Sequence, residues 1–105
     1  MITTETVNGI CHARVTGEMT IYTAITCRDL LQQSVQSCEE IEIDLSGVTE
    51  VDSSGVQLLI QVKRQGVRLG KPVRLVAHSP AITEIIDLYR LGAEFGDLMI
   101  MSPPH

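Results

Sequence analysis

The chain has 105 residues, of which 44% are hydrophobic and 20% charged, and its formal net charge is −5. This balance is typical of a folded globular domain, and the length fits one domain with a core of its own. An acidic chain without a concentrated stretch of Lys and Arg is a poor candidate for binding nucleic acid. Its apolar runs are only a few residues long, too short to span a membrane.

Three cysteines at wide spacing, Cys11, Cys27 and Cys38, indicate reduced thiols rather than a disulfide framework. The N-terminal segment lacks the basic start and the apolar centre of a secretory signal. We therefore expect a cytoplasmic protein with no segment inserted in a membrane.

The N-terminal region is predicted to form a β-hairpin followed by a helix. Asn8-Gly9 lies between short β-prone runs within residues 4–16, and this dipeptide favours a two-residue hairpin turn. Gly17 is predicted to end the second strand. From about Thr23 the apolar residues recur at steps of three and four, which predicts a helix. Its buried face is predicted to consist of Ala24, Cys27, Leu31, Ser34, Val35 and Cys38.

Residues 40–45, EIEIDL, alternate between apolar and acidic side chains, which predicts a strand with one buried face. Ser46-Gly47 is predicted to break this strand, and a short extended piece over residues 48–51 follows. A helix is then expected from about Ser53 to about Leu69, with Gly70 as its C-terminal stop. Its inner face is predicted to consist of Leu58, Leu59, Val62, Gly66 and Leu69.

The C-terminal third is predicted to form a strand over residues 73–77 and a further helix. Ser79-Pro80 has the pattern of a helix N-cap with proline at the first helical position. An apolar side made of Ile82, Ile85, Ile86 and Tyr89 is predicted, and the helix should end near Leu91-Gly92. Residues 98–101 are predicted to form a last short strand, and residues 102–105 a loose tail.

Strands that alternate with helices in the order ββαβαβα, before that last strand, imply right-handed crossovers between parallel neighbours. The predicted fold class is α/β: a small mixed, largely parallel sheet with helices packed against it. Residues 1–105 are predicted to form a single domain, with a core from about residue 4 to residue 101.

The cysteines and histidines do not predict a metal site. Cys11 and His12 are adjacent on a predicted strand, so their side chains point to opposite faces. Cys27 and Cys38 are explained by core packing, and His78 is interpreted as a turn residue. His105 is terminal. We predict no metal and no other cofactor.

An enzymatic role is also disfavoured. Ser53 could approach His78 at one edge of the sheet, but the local sequence Val-Asp-Ser-Ser-Gly is not a Gly-x-Ser-x-Gly nucleophile elbow. The chain has no glycine-rich phosphate loop either. We therefore predict no catalytic residues.

The stretch VDSSGV, residues 51–56, has two readings. As a helix cap, Asp52 or Ser53 accepts a hydrogen bond from a free backbone N–H, and Gly55 lets another backbone pack closely. As a switch, a serine at this helix start is phosphorylated, which adds about −1.5 to −2 charge that the helix dipole tolerates but a docked partner does not. The residue pattern alone leaves both readings open.

Three blocks of the sequence resemble the STAS domain family, which includes the bacterial anti-sigma factor antagonists. They are VTGEMTIYTA at residues 15–24, IEIDLSGVTEVDSSGV at 41–56 and LGKPVRLVAHSPAITEIIDLYRL at 69–91. The second block, with its Asp-Ser-Ser-Gly signature, is the strongest, and the similarity extends from about residue 7 to residue 95.

The resemblance implies that Ser53 is phosphorylated, since in this family the serine directly after the aspartate is the modified one. It further implies that the unphosphorylated monomer binds an anti-sigma factor that is also a serine kinase, so that the sigma factor is released. Phosphorylation of Ser53 would dissolve the complex, and a phosphatase would reset it. Asp52 is implied to position the serine hydroxyl.

The resemblance also implies a partner-binding surface made of the loop after the hairpin and the start of the helix that follows. Its implied residues are Glu18, Met19, Thr20, Tyr22, Asp52, Ser53, Ser54 and Gly55. The chain departs from the family where many members have Leu-Asp after the Gly-Glu pair. It has Met19-Thr20 there and lacks a carboxylate often involved in docking, which leaves the identity of the partner open.

Other members of the family lead to a second interpretation. Small STAS domains also resemble the cytoplasmic subunit of a lipid-transport ABC complex, and others accompany chemotaxis or signalling kinases. In that interpretation the helix start docks permanently on a partner and Ser53 need never be modified. A nucleotide-sensing or ligand-sensing module is a third class, for which the sequence offers no dedicated pocket residues.

Overall fold

The structure is a computed structural model, and it describes residues 1–89. The elements are β1 Ile2–Val7, β2 Ile10–Met19, α1 Ala24–Ser37, β3 Glu40–Val51, α2 Ser53–Leu69, β4 Val73–His78 and α3 Pro80–Tyr89. The predicted order is confirmed through α3. The predicted end of the third helix, the last strand at residues 98–101 and the loose tail lie outside the described residues.

The described strands form one sheet in the order β1-β2-β3-β4. β1 pairs with β2 antiparallel, whereas β3 pairs parallel with β2 and with β4. The predicted mixed, largely parallel sheet is thus confirmed. Because β2 and β3 are parallel neighbours, their carboxyl ends meet at one edge, where Met19 pairs with Val51.

The hairpin turn has the backbone that its sequence predicts. Asn8 and Gly9 both have positive φ, 53° and 82°, as the two central residues of a type I′ turn require. The prediction that β2 ends at Gly17 is wrong, since the strand continues to Met19. Gly17 has a φ of 84°, and the pairing with β3 slips between Gly17 and Glu18, so this glycine bends the strand at a bulge.

The predicted break of β3 at Ser46-Gly47 is also wrong, because β3 is continuous over 12 residues. The irregularity is a register shift on both sides of β3: against β2 between Asp44 and Gly47, and against β4 between Asp44 and Leu45. The Asp44 carboxylate accepts hydrogen bonds from the Ser46 amide at 2.8 Å and its hydroxyl at 2.7 Å. A Cβ on Gly47 would lie 2.7 Å from Cγ2 of Thr16, so glycine permits the close approach of β2. The uninterrupted strand brings Asp52 to the same edge as the end of β2.

The second helix has the predicted bounds. Gly70 follows it in the left-handed conformation, with a φ of 68°, and its amide closes the last turn. The predicted inner face is confirmed except at Leu69, which is 48% exposed in the last turn. The residues of α2 that are buried are Gly55, Val56, Leu58, Leu59, Ile60, Val62 and Gly66.

The other two helices also present the predicted faces where the structure describes them. In α1, Cys27, Leu31 and Val35 are buried, whereas Ala24 and Ser34 are half-buried. For α3, the Ser79 hydroxyl accepts a hydrogen bond from the Ile82 amide at 3.2 Å, which confirms the predicted N-cap. Within α3, the side chains of Ile82 and Ile86 are buried in the core.

The core is aliphatic and lies between the sheet and its helices. Its largest fully buried side chains are Met19, Leu31, Ile41, Ile43, Leu45, Leu59, Leu75 and Ile82. Alternation along β3 buries the apolar residues and leaves the acidic ones on the other face. Over residues 1–89 no helix is both long and apolar enough to cross a membrane.

All three cysteines are buried, with exposed fractions of 1% for Cys11, 3% for Cys27 and 8% for Cys38. Burial raises the pKa of the Cys11 and Cys27 thiols, which lowers the fraction of reactive thiolate. We expect Ellman's reagent to react slowly with the native protein near neutral pH and rapidly with all three thiols in guanidinium chloride. Rapid reaction of a native thiol would contradict this packing.

Candidate functional site

Asp52 connects the end of β3 to the start of α2. It has an extended backbone, with φ −116° and ψ −172°, and it is the N-cap residue. Its Oδ1 accepts hydrogen bonds from the amides of Ser54 at 2.9 Å and Gly55 at 3.2 Å. Of the two caps that the sequence left open, Asp52 is therefore the one used.

The second carboxylate oxygen of Asp52 reaches the loop between β2 and α1. Oδ2 accepts a hydrogen bond from the Ile21 amide at 3.1 Å, and the Asp52 amide donates to the Met19 carbonyl at 3.3 Å. The side chain thus links two segments that are 31 residues apart in sequence. Among residues 1–89 the structure shows no hydrogen bond between Asp52 and the Ser53 hydroxyl, and the implied positioning role of Asp52 remains a prediction.

The loop itself is held by a threonine. The Thr23 hydroxyl accepts a hydrogen bond from the Thr20 amide at 3.0 Å and donates to the Glu18 carbonyl at 2.9 Å. This arrangement leaves two apolar side chains at the tip of the loop in solvent, Ile21 at 63% and Tyr22 at 91% exposure.

Gly55 allows the first turn of α2 to lie directly on the end of β2. A Cβ at this position would lie 2.3 Å from the Met19 carbonyl oxygen and 2.8 Å from Cγ2 of Val51. Real Cβ atoms do not approach a backbone atom this closely, so any side chain would push the helix off the strand. The expectation that Gly55 lets another backbone pack closely is confirmed.

A cavity of about 250 Å³ opens beside Ser53, between the first turns of α1 and α2. Ser53 is exposed at its rim, and Ile25, at 63% exposure, lies across from it on α1. The residues that line the cavity are Ala24, Ile25, Arg28, Ser53, Ser54, Gln57, Leu58 and Gln61. Ser53 is thus bordered by apolar and positively charged side chains.

A family model described as "Mlab, STAS domain" matches the chain over residues 4–100. The chain therefore belongs to the STAS domain family. This confirms the resemblance read from the sequence. A comparison with curated protein sequences gave no significant match.

Solved structures with this fold include several anti-sigma factor antagonists. One from Mycobacterium paratuberculosis is 27% identical, with a TM-score of 0.77 over 96% of this chain and 94% of that one. The anti-sigma factor antagonist SpoIIAA in its unphosphorylated form is 20% identical, with a TM-score of 0.75 over 89% and 84% of the chains. SpoIIAA of Bacillus in the phosphorylated form is also 20% identical, with a TM-score of 0.71 over 89% and 86%.

The STAS domain brings together the two segments from which the partner-binding surface was predicted. Glu18, Tyr22 and Ser53 are exposed, and Thr20, Asp52 and Ser54 are half-buried. Met19 and Gly55 are buried, so their inclusion as surface contacts is corrected. Met19 is fully buried because β2 extends to this residue and its side chain points into the core. Gly55 is buried because its backbone packs against β2. Contact of the other residues with a partner remains a prediction.

Sequence reasoning did not single out three surface residues near Ser53 in this STAS domain: Ile21, which lies within the loop predicted to contact a partner, and Ile25 and Arg28. The two isoleucines carried a usable signal, because apolar residues off the buried face of a helix or in a loop tip indicate a contact surface. Arg28 is exposed on α1, and its position across from α2 depends on how the helices pack, which the sequence alone does not give.

All three cysteines are buried in the core, and neither described histidine lines the cavity beside Ser53. Cys11 is buried, whereas the adjacent His12 is exposed and its Nδ1 lies 3.0 Å from a Glu42 carboxylate oxygen. His78 is the last residue of β4, and His105 lies outside the described residues. Within residues 1–89 no three His, Cys, Asp or Glu side chains converge in a way that could hold a metal ion.

Proposed function

We propose that this STAS domain is an anti-sigma factor antagonist that works by partner switching. In the unphosphorylated state it binds an anti-sigma factor with serine kinase activity, and phosphorylation of Ser53 releases it. A phosphatase restores the binding form. The domain supplies a substrate serine and a docking surface, and the partner supplies catalysis.

The observation that carries the proposal is the position of Ser53. It is exposed and begins α2, and the amides of the two following residues are already satisfied by Asp52. The serine side chain is therefore not needed for capping, and its hydroxyl is accessible to a kinase. A phosphate at this position would meet the positive end of the helix dipole, so the fold should tolerate it.

The surroundings of Ser53 support a protein partner. Ile21, Tyr22 and Ile25 expose most of their apolar surface within the same region. A partner that buries these side chains would also have to bury the phosphate on Ser53, and desolvation of that charge weakens the complex. The likeness to anti-sigma factor antagonists, including SpoIIAA in unphosphorylated and phosphorylated forms, supports the same role.

The proposal is tested with the protein from its native host. We expect mass spectrometry of the intact chain, followed by fragmentation, to place one phosphate on Ser53. Ser53→Ala should still bind the partner but should not be released by ATP. Ser53→Asp should bind at least about 30-fold more weakly, because unfavourable charge at an interface costs several kcal/mol.

The matched control is Thr3→Asp, which adds the same carboxylate to an exposed position on β1. It should bind the partner like the wild type. Unmodified Ser53 under all growth conditions, together with unchanged binding by Ser53→Asp, would contradict the proposal. That outcome is the one expected of a permanently docked subunit.

A further inference from the structure

The charges of the chain are distributed unevenly over its fold. Five of the eight Lys and Arg residues lie in α1, in α2 or directly after α2. Of the 13 Asp and Glu residues, only Asp29 lies in either helix. An acidic protein therefore presents a basic surface on the side where these two helices pack, although no stretch of its sequence is strongly basic.

Two of the five basic residues, both lysines, donate hydrogen bonds to backbone carbonyls. Lys63 donates a hydrogen bond to the Val73 carbonyl at 2.9 Å, and Lys71 donates to the carbonyls of Val35 and Gln36 at the end of α1. The other three are the arginines Arg28, Arg64 and Arg68, and all three are exposed. Arg28 lies 3.6 Å from a carboxylate oxygen of the adjacent Asp29. Their guanidinium groups can bind carboxylates through two parallel hydrogen bonds, which an ammonium group cannot do.

The three arginines line one groove between α1 and α2. The cavity beside Ser53 contains Arg28, and a second cavity of about 550 Å³ contains Arg64 and Arg68. Gln61 lines both cavities, so they are adjacent along α2. From Ser53 to Arg68 the groove follows α2 for about 22 Å, the length of about four turns of helix.

The groove also offers apolar surface at both ends. Ile25 is 63% exposed near Ser53, and Val67 is 81% exposed beside Arg68. The polar residues between them, Gln57 and Gln61, are neutral. No Asp or Glu lines either cavity. This combination of apolar ends, neutral polar side chains between them and nearby arginines is complementary to an amphipathic helix that carries acidic side chains.

We propose that the α1–α2 groove, from Ser53 to Arg68, binds an acidic amphipathic helix of a partner protein. The inference rests on the proposed function, since Ser53 forms one end of the groove. It also explains why phosphorylation would weaken binding. A phosphate on Ser53 places negative charge at the end of a groove that binds an acidic helix, and the two negative charges repel each other. A concave strip with arginines along it fits a helix better than it fits a flat membrane surface.

The test uses the full chain labelled with ¹⁵N and a synthetic helical peptide with Leu on one face and Glu on the other. We expect amide chemical-shift changes on the facing sides of α1 and α2, with binding that weakens as salt is raised. Arg68→Glu should raise the peptide Kd at least about tenfold, equivalent to about 1.4 kcal/mol. Arg68→Ala should weaken binding less, and circular dichroism verifies that both variants fold.

Arg14→Glu is the matched control, because it makes the same charge change at an exposed position of β2 outside the groove. It should change the Kd by less than about twofold. A peptide with Lys in place of every Glu should not bind. The proposal is overturned by absence of shifts at about 1 mM Glu peptide, by equal binding of the Lys peptide, or by equal effects of the two Arg→Glu changes. Binding to phosphatidylglycerol vesicles that depends on Arg68, without binding of the Glu peptide, would also overturn it in favour of a membrane.

Failure of this inference can be told apart from failure of the proposed function. If Arg68→Glu weakens peptide binding but Ser53 is unmodified in the native host and Ser53→Asp binds the partner like the wild type, the groove is correct and the switch at Ser53 is wrong. If Ser53 is phosphorylated in the native host but the Glu peptide produces no shifts, the switch is correct and the groove is wrong.

Discussion

Gly55→Ala is expected to lower the free energy of unfolding by about 3 kcal/mol, the upper end of the usual range for an overpacked core position. The added Cβ would lie 2.3 Å from the Met19 carbonyl oxygen, which belongs to the backbone of β2 and cannot rotate away. The clash can be relieved only if α2 moves off the sheet edge. Denaturation with urea, followed by circular dichroism, measures the loss.

Gly70→Ala is the matched control for Gly55→Ala. Nothing lies within 4 Å of the Cβ it would add, but its φ of 68° is unfavourable for alanine. We expect a loss of about 1 kcal/mol, from backbone strain alone. A loss at Gly55 no larger than that at Gly70 would show that the approach of α2 to β2 is less close than the structure has it.

Local signals in the sequence were sufficient for most of the fold. Asn8-Gly9 specifies the hairpin because both residues tolerate positive φ, and Gly70 and Ser79 mark a helix end and a helix start by the same kind of local chemistry. The alternation in β3 specifies which face is buried. Each of these features depends on a few neighbouring residues, which is why the sequence alone predicts them.

The errors occur where the same residue types can serve two purposes. Gly17 and Ser46-Gly47 were interpreted as ends of strands, yet both lie inside strands at irregular pairing. A glycine in a strand is equally consistent with a bulge or a close approach of another backbone. Only the partner strand decides between these, and Gly47 against Thr16 is such a case.

The candidate site could be predicted only in part, because some of its contacts are local in sequence and others are not. That a helix begins beside Asp52 and Ser53 follows from the local sequence, and the resemblance points to Ser53. The bond between Asp52 and the Ile21 amide joins residues far apart in the chain, so no local pattern contains it. That Arg28 lies on the same side of the fold as Arg64 and Arg68 is likewise produced by helix packing, which no local pattern in the sequence contains.

Asp52→Ala is the second substitution with a large expected effect, a loss of about 3 kcal/mol in the free energy of unfolding. Removal of an N-cap carboxylate typically costs about 0.5–2 kcal/mol, and a hydrogen bond to a charged group contributes about 1.5–3 kcal/mol. Asp52 accepts two hydrogen bonds at the start of α2 and a third from the loop amide of Ile21. Its loss should therefore both weaken the helix start and release the loop.

Asp52→Asn separates these two roles. Asparagine keeps one carbonyl oxygen, which we expect to accept the hydrogen bonds from the Ser54 and Gly55 amides. Its NH₂ group then faces the Ile21 amide, and because both groups are donors they form no hydrogen bond. The stability loss should be about half that of Asp52→Ala, because the cap remains. Amide hydrogen exchange should accelerate at Ile21 and change little at Gly55. Unchanged protection of Ile21 would mean that Asp52 caps the helix without fixing the loop. The surface formed by Ile21, Tyr22 and Ser53 would then depend on Thr23 alone. The expected result instead makes one carboxylate responsible for holding Ser53 and the exposed loop in a single arrangement.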